Sequence, residues 1–356
     1  MGTRGRGRGA GDRAVNAYAA VRAGLAVREA GEGDDARIEV FVRAHPDATP
    51  FHLPTWSRAV ERACGQKAHL LIAERDGVIV GYLPLTAMHS ALVGRALVST
   101  GFGVDGGVLG EGADELAAAA RAFGYPSVEL RGGPAPAGWA IDDTTSLGFA
   151  RDLVADDEAE LLAIPRKQRA EVRKALANDL EVVTGNDPTF AREHYAIYAE
   201  SVRNLGTPAF PRALFREMLA AMDANILTVR HQDRAVASVL SLYFNGIVYP
   251  YWGGGTAAAR GLRANDRMYF ALMSHARARG CTRFDFGRSK AGSGPAAFKK
   301  NWGFEPRPLS YASWSEGAKR DINPLNPKYA LMVRTWKRLP LPIANLIGPW
   351  ISRGLG

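Results

Sequence analysis

Short apolar segments separated by two-residue turns occupy the second half of this chain and predict three consecutive strands. Segments 226–230, 236–244 and 247–252 are rich in Val, Ile, Leu and Tyr, and Gln232-Asp233 and Asn245-Gly246 separate them. An Asn-Gly pair between two apolar segments is a strong signal for a hairpin turn. The three segments therefore predict an antiparallel meander.

The segments after this meander alternate between helical and strand patterns. Apolar residues at helical spacing predict a helix over 265–280, with Asn265 as its N-cap and Gly280 at its end. A strand over 282–286, a short helix over 296–302 and a strand over 309–314 follow. The predicted order is β-β-β-α-β-α-β, preceded by helices over 164–178, 190–204 and 211–222.

The first half of the chain predicts a shortened version of the same arrangement. Strands over 69–74 and 78–85 flank the turn Asp76-Gly77, and a helix over 55–63 precedes them. A strand region over 97–110, an Ala-rich helix over 114–123 and a strand over 128–131 follow. The simplest architecture is a mixed α/β (α+β) fold in which a sheet flanked by helices is built twice.

Composition and charge divide the chain into two units and two tails. Residues 1–28 carry six Arg against one Asp, and residues 319–356 carry seven Lys and Arg against one Asp, so the 290 residues between them have a net charge of −2. We predict a disordered basic tail (1–24), two units (25–158 and 159–320) and an apolar, basic tail (321–356). Because the charge lies at the ends, DNA is not a predicted partner.

Several protein classes are disfavoured by the same composition. No window of eighteen uncharged apolar residues predicts a transmembrane helix, and the basic N-terminus lacks the apolar segment of a secretory signal. The two cysteines, Cys64 and Cys281, fit a reducing cytoplasm better than a disulfide framework, and no Cys or His cluster predicts a metal site. We therefore expect a cytoplasmic protein, with contact to the inner face of the membrane as an open alternative.

The stretch 284–306 carries the chemistry that is easiest to recognise. It places Arg288, Lys290, Lys299 and Lys300 around the glycine-flanked loop 291–294, between a strand and a helix. Helix-start N–H groups favour negative charge, so these cations suit an anionic ligand. A solvated helix face is the alternative interpretation.

The predicted element order resembles the GNAT acyltransferase fold, and two such units in one chain resemble the FemAB family of peptidyltransferases. Residues 251–255 (Tyr-Trp-Gly-Gly-Gly) and 298–303 (Phe-Lys-Lys-Asn-Trp-Gly) carry this resemblance. The phrase 285–290 (Asp-Phe-Gly-Arg-Ser-Lys), together with 298–306, is more similar to the FemAB-type proteins of PEP-CTERM/exosortase and exopolysaccharide loci. The segments 165–169, 323–328 and 336–342 fit the same subgroup.

The resemblance implies transfer of an acyl or aminoacyl group to an amine or hydroxyl of a cell-envelope or exopolysaccharide precursor. The implied donor is aminoacyl-tRNA, the implied acceptor is a nucleotide- or lipid-linked saccharide, and no metal is implied. Two departures separate this chain from muropeptide-modifying relatives: Asp105 replaces the Tyr that precedes the Gly pair of the first unit, and the long helical arm is absent.

Acetyl-CoA is a less favoured donor. GNAT enzymes that use it cradle the diphosphate with a glycine-rich loop at the start of the main helix, whereas residues 260–265 read Arg-Gly-Leu-Arg-Ala-Asn with the glycines out of register. We therefore expect no bound cofactor. Acetyl-CoA-dependent N-acetylation, and a non-catalytic scaffold in exopolysaccharide assembly, are the two alternative functions.

Four residues are candidates for catalysis. The resemblance places Lys299 and Lys300 near phosphate or a developing oxyanion. Asp105, in a flexible glycine loop, is a candidate general base, with a simple turn as the alternative. Asp285 lies mid-strand and faces away from its Phe neighbours, so it is a candidate base, a partner for Arg288 or half of an ion pair.

The remaining candidates are assigned to substrate binding. They share a polar, aromatic or basic side chain near the catalytic candidates or on a basic helix: Arg288, Lys290, Tyr249, Tyr251, Trp252, Arg166, Arg169, Arg173, His52 and Trp56. For the aromatic residues and His52 the alternative is ordinary core packing, and for the basic helix it is a solvated face.

The C-terminal tail alternates Trp, Leu and Ile with Lys and Arg, and Pro340, Pro342 and Pro349 are expected to break any long helix. Aromatic and basic residues along an apolar segment are typical of interfacial membrane contact. Packing of the tail on its own protein is the alternative.

Overall fold

The computed structural model describes residues 24–90, 94–317 and 330–355. The predicted basic tail, except Gly24, lies outside these residues, as do 321–329 and 356 of the predicted C-terminal tail and the segment 323–328. The strands are β1 (Ala26–Glu29), β2 (Ala68–Arg75), β3 (Val78–Ser90), β4 (Gly94–Ser99), β5 (Leu109–Gly110), β6 (Ser127–Arg131), β7 (Ala140–Asp142), β8 (Ser146–Asp152), β9 (Glu181–Gly185), β10 (Ala224–His231), β11 (Arg234–Phe244), β12 (Ile247–Gly255), β13 (Arg283–Lys290), β14 (Pro306–Pro308) and β15 (Tyr311–Ser315).

The helices follow the predicted pattern at most positions. They are α1 (Asp35–Ala44), α2 (Pro54–Cys64), α3 (Ala113–Ala122), α4 (Asp157–Ala163), α5 (Arg166–Ala177), α6 (Pro188–Leu205), α7 (Arg212–Ala221), α8 (Ala259–Leu262), α9 (Ala264–Ala278), α10 (Gly294–Asn301), α11 (Ala330–Arg338) and α12 (Leu341–Ser352). No helix among the described residues is both long and apolar enough to span a bilayer.

The strands form two mixed sheets, which confirms the predicted α/β fold built twice. The first sheet has the order β1-β2-β3-β4-β6-β15-β7, with β5 paired to β3, and the second has the order β14-β8-β13-β12-β11-β10-β9. In each sheet the pairs are antiparallel except for one, β4 with β6 in the first sheet and β12 with β13 in the second. The pair β4–β6 in the first sheet therefore corresponds to the pair β12–β13 in the second.

Each predicted unit gives one strand to the other sheet, so the predicted boundary between residues 158 and 159 does not separate the sheets. Strand β8, which sequence analysis did not predict as a strand, lies within the bounds of the predicted first unit but pairs with β13. Strand β15 lies within the bounds of the predicted second unit but pairs with β6. Phe149 of β8 is buried in the core of the second sheet, and Ala312 of β15 is buried in the core of the first. Nonlocal burial decides this exchange, and local sequence pattern does not encode it.

Three local predictions differ from the structure. The expected strand 97–110 ends at Ser99, and a loop over 100–108 separates it from the two-residue β5. Asn265 lies inside α9, whose N-cap is Arg263 at a φ of 57°. Pro349 lies within α12, because losing one intrahelical hydrogen bond does not end a helix that also packs on the protein.

Candidate active site

The parallel pair β12–β13 opens into a cleft. The two strands pair only at Ile247 with Arg283 and at Val248 with Phe284. Beyond these residues the strands diverge, so the backbone N–H and C=O groups of one strand no longer bond to those of the other. Such unpaired strand edges can bind an extended amide-containing ligand.

The cleft has a volume of about 390 Å³ and lies where the two units meet. Its second-unit wall is formed by Tyr249 and Tyr251 of β12, and by Asp285 and Gly287 of β13. The first unit contributes the loop residues Asp47, Thr49, Phe51, Val104 and Asp105, and residues near β8 and β14 complete the lining: Gly148, Phe149, Ala150, Arg283, Arg307 and Leu309.

Asp105 reaches this cleft because glycines let its loop pack closely. A Cβ on Gly132 would lie 2.1 Å from Asp105 Oδ1, and a Cβ on Gly107 would lie 1.8 Å from the Gly132 carbonyl oxygen. Burial raises the pKa of Asp105 to about 6, and the negative charge of Asp285 contributes in the same direction. A carboxylate with a pKa near neutrality is suited to accept a proton.

Asp285 is held by a β-bulge in β13. Its pairing with β8 changes register between Asp285 and Arg288, and Gly287 adopts a φ of 69°. The Gly287 N–H donates to Asp285 Oδ1 at 2.8 Å. Burial raises the pKa of Asp285, against the opposing effects of this hydrogen bond and of the Lys299 ammonium. The predicted mid-strand carboxylate therefore lies beside Asp105 in the cleft, with Phe284 and Phe286 on the buried face.

Lys299, on helix α10, stabilises the same bulge through its side chain. Its Nζ donates to the carbonyl oxygens of Gly287 at 3.1 Å and Arg288 at 3.0 Å, and lies over the rings of Phe149 and Phe286. Burial lowers the pKa of Lys299 to about 7. The lysine that the family resemblance assigned to phosphate or oxyanion thus binds two backbone carbonyls, and it is absent from the cleft lining.

Three side chains tie the loop of Asp105 to the second unit. Tyr251 donates its hydroxyl to the Phe102 carbonyl oxygen, and Tyr311 donates to the Val104 carbonyl oxygen at 2.7 Å. Arg288 Nη1 donates to the Tyr311 hydroxyl at 3.0 Å. Arg288 therefore acts on the cleft-lining Val104 only through Tyr311. Lys290 lies half-buried at the end of β13, opposite Ser146.

Tyr249 lies close to both carboxylates. Burial raises its pKa, and the charges of Asp285 and Asp105 raise it further, so the phenol remains protonated. The prediction that Tyr249 and Tyr251 lie on one side of the strand agrees with their shared place in the cleft lining. Trp252, in contrast, is buried against Trp56 and Phe215 in the core, which contradicts its assignment to substrate binding.

His52 and Trp56 are structural as well. The Thr49 N–H donates to His52 Nδ1 at 3.0 Å, so Nδ1 is an acceptor and Nε2 carries the proton that is donated to the Gly107 carbonyl oxygen at 3.2 Å. Burial lowers the pKa of His52 to about 4, which keeps the ring neutral. Trp56 is fully buried and donates to the Gly101 carbonyl oxygen at 3.1 Å. Both residues support the loop that carries Asp105, and neither lines the cleft.

The basic helix and Lys300 lie away from the cleft. Arg169 donates to the carbonyl oxygens of Ile164 and Leu162, at the C-terminal end of α4. Arg166, Arg173 and Lys300 are exposed and are not among the cleft-lining residues. For these side chains the structure favours the solvated-face interpretation.

Three residues important to the site were missed by sequence reasoning. Tyr311 and Arg307 lie in the last strands, and Arg131 supports the Asp105 loop through hydrogen bonds to the carbonyl oxygens of Thr100 and Gly103. Their partners are distant in sequence, so no local motif marks them. The glycine pair Gly132-Gly133, directly after a predicted strand, was the one available signal for a close backbone approach.

Comparisons with known proteins agree with this geometry. Residues 166–300 match the family described as "Acetyltransferase (GNAT) domain". The structure is similar to that of FemX, with a TM-score of 0.63 at 14% identity over 80% of this chain and 96% of that one. A search of curated proteins finds no significant match.

Two further solved structures share the fold. The C-terminal domain of a putative lysylphosphatidylglycerol synthetase from Agrobacterium fabrum has a TM-score of 0.53 at 13% identity, over 85% of this chain and 96% of that one. A tandem GNAT protein from the clavulanic acid biosynthesis pathway has a TM-score of 0.50 at 11% identity, over 83% of this chain and 99% of that one.

The class of protein follows from the fold and from the matched domain. The chain has the fold of tandem GNAT proteins, with the domain match lying on the unit that contains the open cleft. The predicted acyltransferase activity is supported by that match. The likeness to FemX shows a shared fold.

Proposed function

We propose that the cleft between β12 and β13 transfers an aminoacyl group from aminoacyl-tRNA to an amine or hydroxyl of a cell-envelope or exopolysaccharide precursor. The observation that carries this proposal is the pair of carboxylates, Asp105 and Asp285, in a cleft formed by diverging strands. Acyl transfer to an amine needs a proton acceptor, an oriented carbonyl group and stabilisation of negative charge on its oxygen. The cleft offers a group for each of these needs.

Asp105 is the proposed general base. With a pKa of about 6 it is ionised at neutral pH, yet it is basic enough to take a proton from an attacking amine. The amine nitrogen forms a bond to the ester carbonyl carbon and loses a proton to Asp105. The bond between that carbon and the ribose oxygen then breaks, and the ribose oxygen takes the proton from Asp105. Asp285 raises the basicity of Asp105 and orients the acceptor amine.

The strand edge supplies the oxyanion contacts in this proposal. Strand β12 changes register against β11 between Leu240 and Ser241, so Tyr251 is an extra residue opposite that step. Beyond Val248 the backbone of β12 has no pairing with β13, and because Pro250 has no N–H the proposed edge donors begin at Tyr251. These donors, together with the protonated Tyr249 hydroxyl, are suited to bind a carbonyl oxygen that becomes negative in the transition state.

The choice of donor and acceptor class draws on the structural neighbours. FemX and a putative lysylphosphatidylglycerol synthetase have the same fold, and the second name indicates a lysyl group as cargo. The sequence resemblance to FemAB-type proteins of exopolysaccharide and exosortase loci favours a nucleotide- or lipid-linked saccharide acceptor. Both choices extend the coarser assignment of a GNAT-type acyltransferase.

Acetyl-CoA remains the second candidate donor, favoured by the description of the matched domain. The local structure argues against it. Residues 259–262 form the helical turn α8 rather than a glycine loop, and Arg263, which follows, forms an ion pair with Glu171. The N–H groups of Ala259, Leu262 and Arg263 already donate to nearby backbone carbonyl oxygens, so they are not available to a diphosphate.

Donor binding and turnover test the proposal directly. We expect the purified protein to bind aminoacyl-tRNA more tightly than uncharged tRNA, and to release labelled amino acid from it when a lipid-linked saccharide fraction is added. Ala150→Trp, which fills the cleft, should abolish this turnover, whereas Ala140→Trp on the exposed strand β7 should not. Tight acetyl-CoA binding with an N-acetyl product would replace tRNA as the donor, and failure to bind either donor would favour a scaffold.

A further inference from the structure

Helix α12 is inverted with respect to an ordinary surface helix. Its buried residues are the small Ala344, Gly348 and Ser352, four positions apart on one face. Its exposed residues are large and apolar: Ile343, Leu346, Ile347 and Trp350. A surface helix of a water-soluble protein normally buries its apolar face and exposes its polar face. The outward face of α12 therefore needs another explanation than solvation.

Helix α11 and the end of α6 also expose large apolar side chains. Leu331 and Met332 are 72% and 54% exposed, and Leu205 at the end of α6, which packs against α11, is 61% exposed. Seven of the twelve large apolar residues exposed among the described parts of the chain lie on α11, α12 or the neighbouring end of α6, so they are concentrated in one part of the fold. Contiguous exposed apolar surface marks a site of protein or membrane contact.

The two helices are held firmly in this orientation. Trp336 Nε1 donates to the Thr207 carbonyl oxygen at 3.1 Å, and Ser352 Oγ donates to the Ala209 carbonyl oxygen at 2.8 Å. Gln66 Nε2 donates to the Arg353 carbonyl oxygen at 2.9 Å. The small residues of α12 let it pack closely, since a Cβ on Gly348 would lie 3.2 Å from the Ala209 nitrogen. The apolar face is thus presented outward by specific contacts.

The charges around the patch have one sign. Residues 330–355 contain Arg334, Lys337, Arg338 and Arg353 and no Asp or Glu. The three cations on α11 are exposed. A helix with large apolar side chains, a Trp and flanking cations matches the interface of a bilayer with anionic headgroups.

We propose that α11 and α12 form an interfacial membrane-binding element that docks on anionic lipid. The longer chain segments outside the described residues, 1–23 and 318–329, each carry more Arg and Lys than Asp and Glu, so charge disfavours them as the cover of this patch. An anionic bilayer satisfies both the apolar face and the cations. Lipid docking does not depend on the transferase reaction.

The buried side of α11 and α12 is connected to the loop of Asp105 through the segment 207–210. Helices α11 and α12 bind the segment 207–209, and the adjacent Phe210 packs edge-on against Phe102 at 5.0 Å between ring centroids. Phe102 lies in the loop that carries Asp105.

Vesicle co-sedimentation of the full chain tests the proposal, with vesicles of phosphatidylcholine alone or mixed with phosphatidylglycerol. We expect binding to the anionic vesicles and weaker binding to neutral ones. Leu346→Ser with Trp350→Ser should lower the partition coefficient roughly tenfold or more, because two large apolar side chains no longer enter the bilayer. Val40→Ser with Ile141→Ser removes equally exposed apolar side chains elsewhere and should leave binding unchanged.

A charge variant provides an independent measurement. Arg334→Gln with Arg338→Gln should weaken binding to anionic vesicles and flatten its salt dependence, while leaving the apolar face intact. Absence of wild-type binding to anionic vesicles would overturn the proposal, as would equal binding by the Leu346/Trp350 variant and its control. Light scattering tests whether a second copy of the chain covers this face instead. If the wild type is a dimer, and the Leu346/Trp350 variant is a monomer that still binds vesicles as well as the wild type, the face binds a second copy.

Discussion

The two sheets contain one parallel strand pair each, and the two pairs end in opposite ways. In the first sheet β4 and β6 pair from Leu97 with Val128 to Ser99 with Leu130, and the loop that follows closes over their ends. The Gly107 N–H donates to the Arg131 carbonyl oxygen at 2.8 Å, and the Arg131 N–H donates to Ser99 Oγ at 3.0 Å. In the second sheet the strands diverge after two pairs and leave the cleft.

A buried basic side chain stabilises each ending. Arg131, 3% exposed, donates from Nη1 to the carbonyl oxygens of Thr100 and Gly103 and thereby fills the space beyond the first pair. Lys299 donates to the carbonyl oxygens of Gly287 and Arg288, which stabilises the bulge that turns β13 away from β12. In both places one basic side chain donates to two backbone carbonyl oxygens. In the first sheet this closes the end of the strand pair, and in the second it keeps the two strands apart.

The comparison indicates a division of roles between the units. The closed pair anchors the loop 100–108, and this loop carries Asp105 into the cleft of the open pair. One unit thus contributes a rigid support and one carboxylate, while the other contributes the cleft walls and the second carboxylate. The predictions below separate support from chemistry, beginning with the largest expected effect.

Asp105→Asn should remove the proposed base of the open cleft. We expect turnover to fall by about 10²–10⁴-fold, with donor binding retained, because the amide cannot accept the proton. In the wild type, activity should fall as the pH is lowered through about 6, where the carboxylate becomes protonated. A pH–rate profile under single-turnover conditions measures both effects.

Asp47→Asn is the matched control for this substitution. Asp47 lines the same cleft, and its charge is the smallest contribution to the raised pKa of Asp105. The control should move the acidic limb slightly towards lower pH without abolishing turnover. An Asp105→Asn variant with normal turnover and an unchanged acidic limb would exclude Asp105 as the base.

Arg131→Met should open the closed pair. The substitution leaves the carbonyl oxygens of Thr100 and Gly103 without their charged donor, and we expect the free energy of unfolding to fall by about 3 kcal/mol. Arg62→Met removes a half-exposed ion pair with Glu217 and should cost less than about 1 kcal/mol. Equal losses in urea denaturation would show that Arg131 does not hold the loop.

The sequence predicts the positions of helices and strands far better than the pairing of strands that are distant along the chain. Apolar periodicity and turn dipeptides predicted the meander β10–β12, helix α9 and strand β13, because these signals are local. The exchange of β8 and β15 between sheets, and the divergence after Val248 and Phe284, depend on partners far along the chain. For the same reason the sequence indicates Asp105 and Asp285 as separate carboxylates, and it leaves open whether Trp56 and Trp252 bind substrate or pack in the core, where the structure places them.

Lys299→Met should change the pH dependence of stability. The pKa of Lys299 is lowered from 10.5 to about 7 in the folded chain, so between these values the unfolded chain holds a proton that the folded chain lacks. Raising the pH through this window therefore stabilises the wild type relative to the variant, by up to about 1.4 kcal/mol per pH unit. Urea denaturation at pH 7 and pH 9 measures the difference, and the exposed neighbour provides a control, since Lys300→Met should show no such dependence.

Tyr311→Phe should give the smallest effect and the sharpest test of the link between the two units. The hydroxyl accepts from Arg288 and donates to the Val104 carbonyl oxygen, so its loss should cost about 1 kcal/mol of stability. Tyr243→Phe, which removes a hydroxyl that donates to Asn225 Oδ1 at 2.8 Å outside the cleft, should cost about the same. Only Tyr311→Phe should also lower turnover, because Val104 directly precedes Asp105 and the base is held by this contact. Equal turnover in the two variants would mean that the loop keeps Asp105 in place without the second unit, and the closed pair alone would then account for the position of the base.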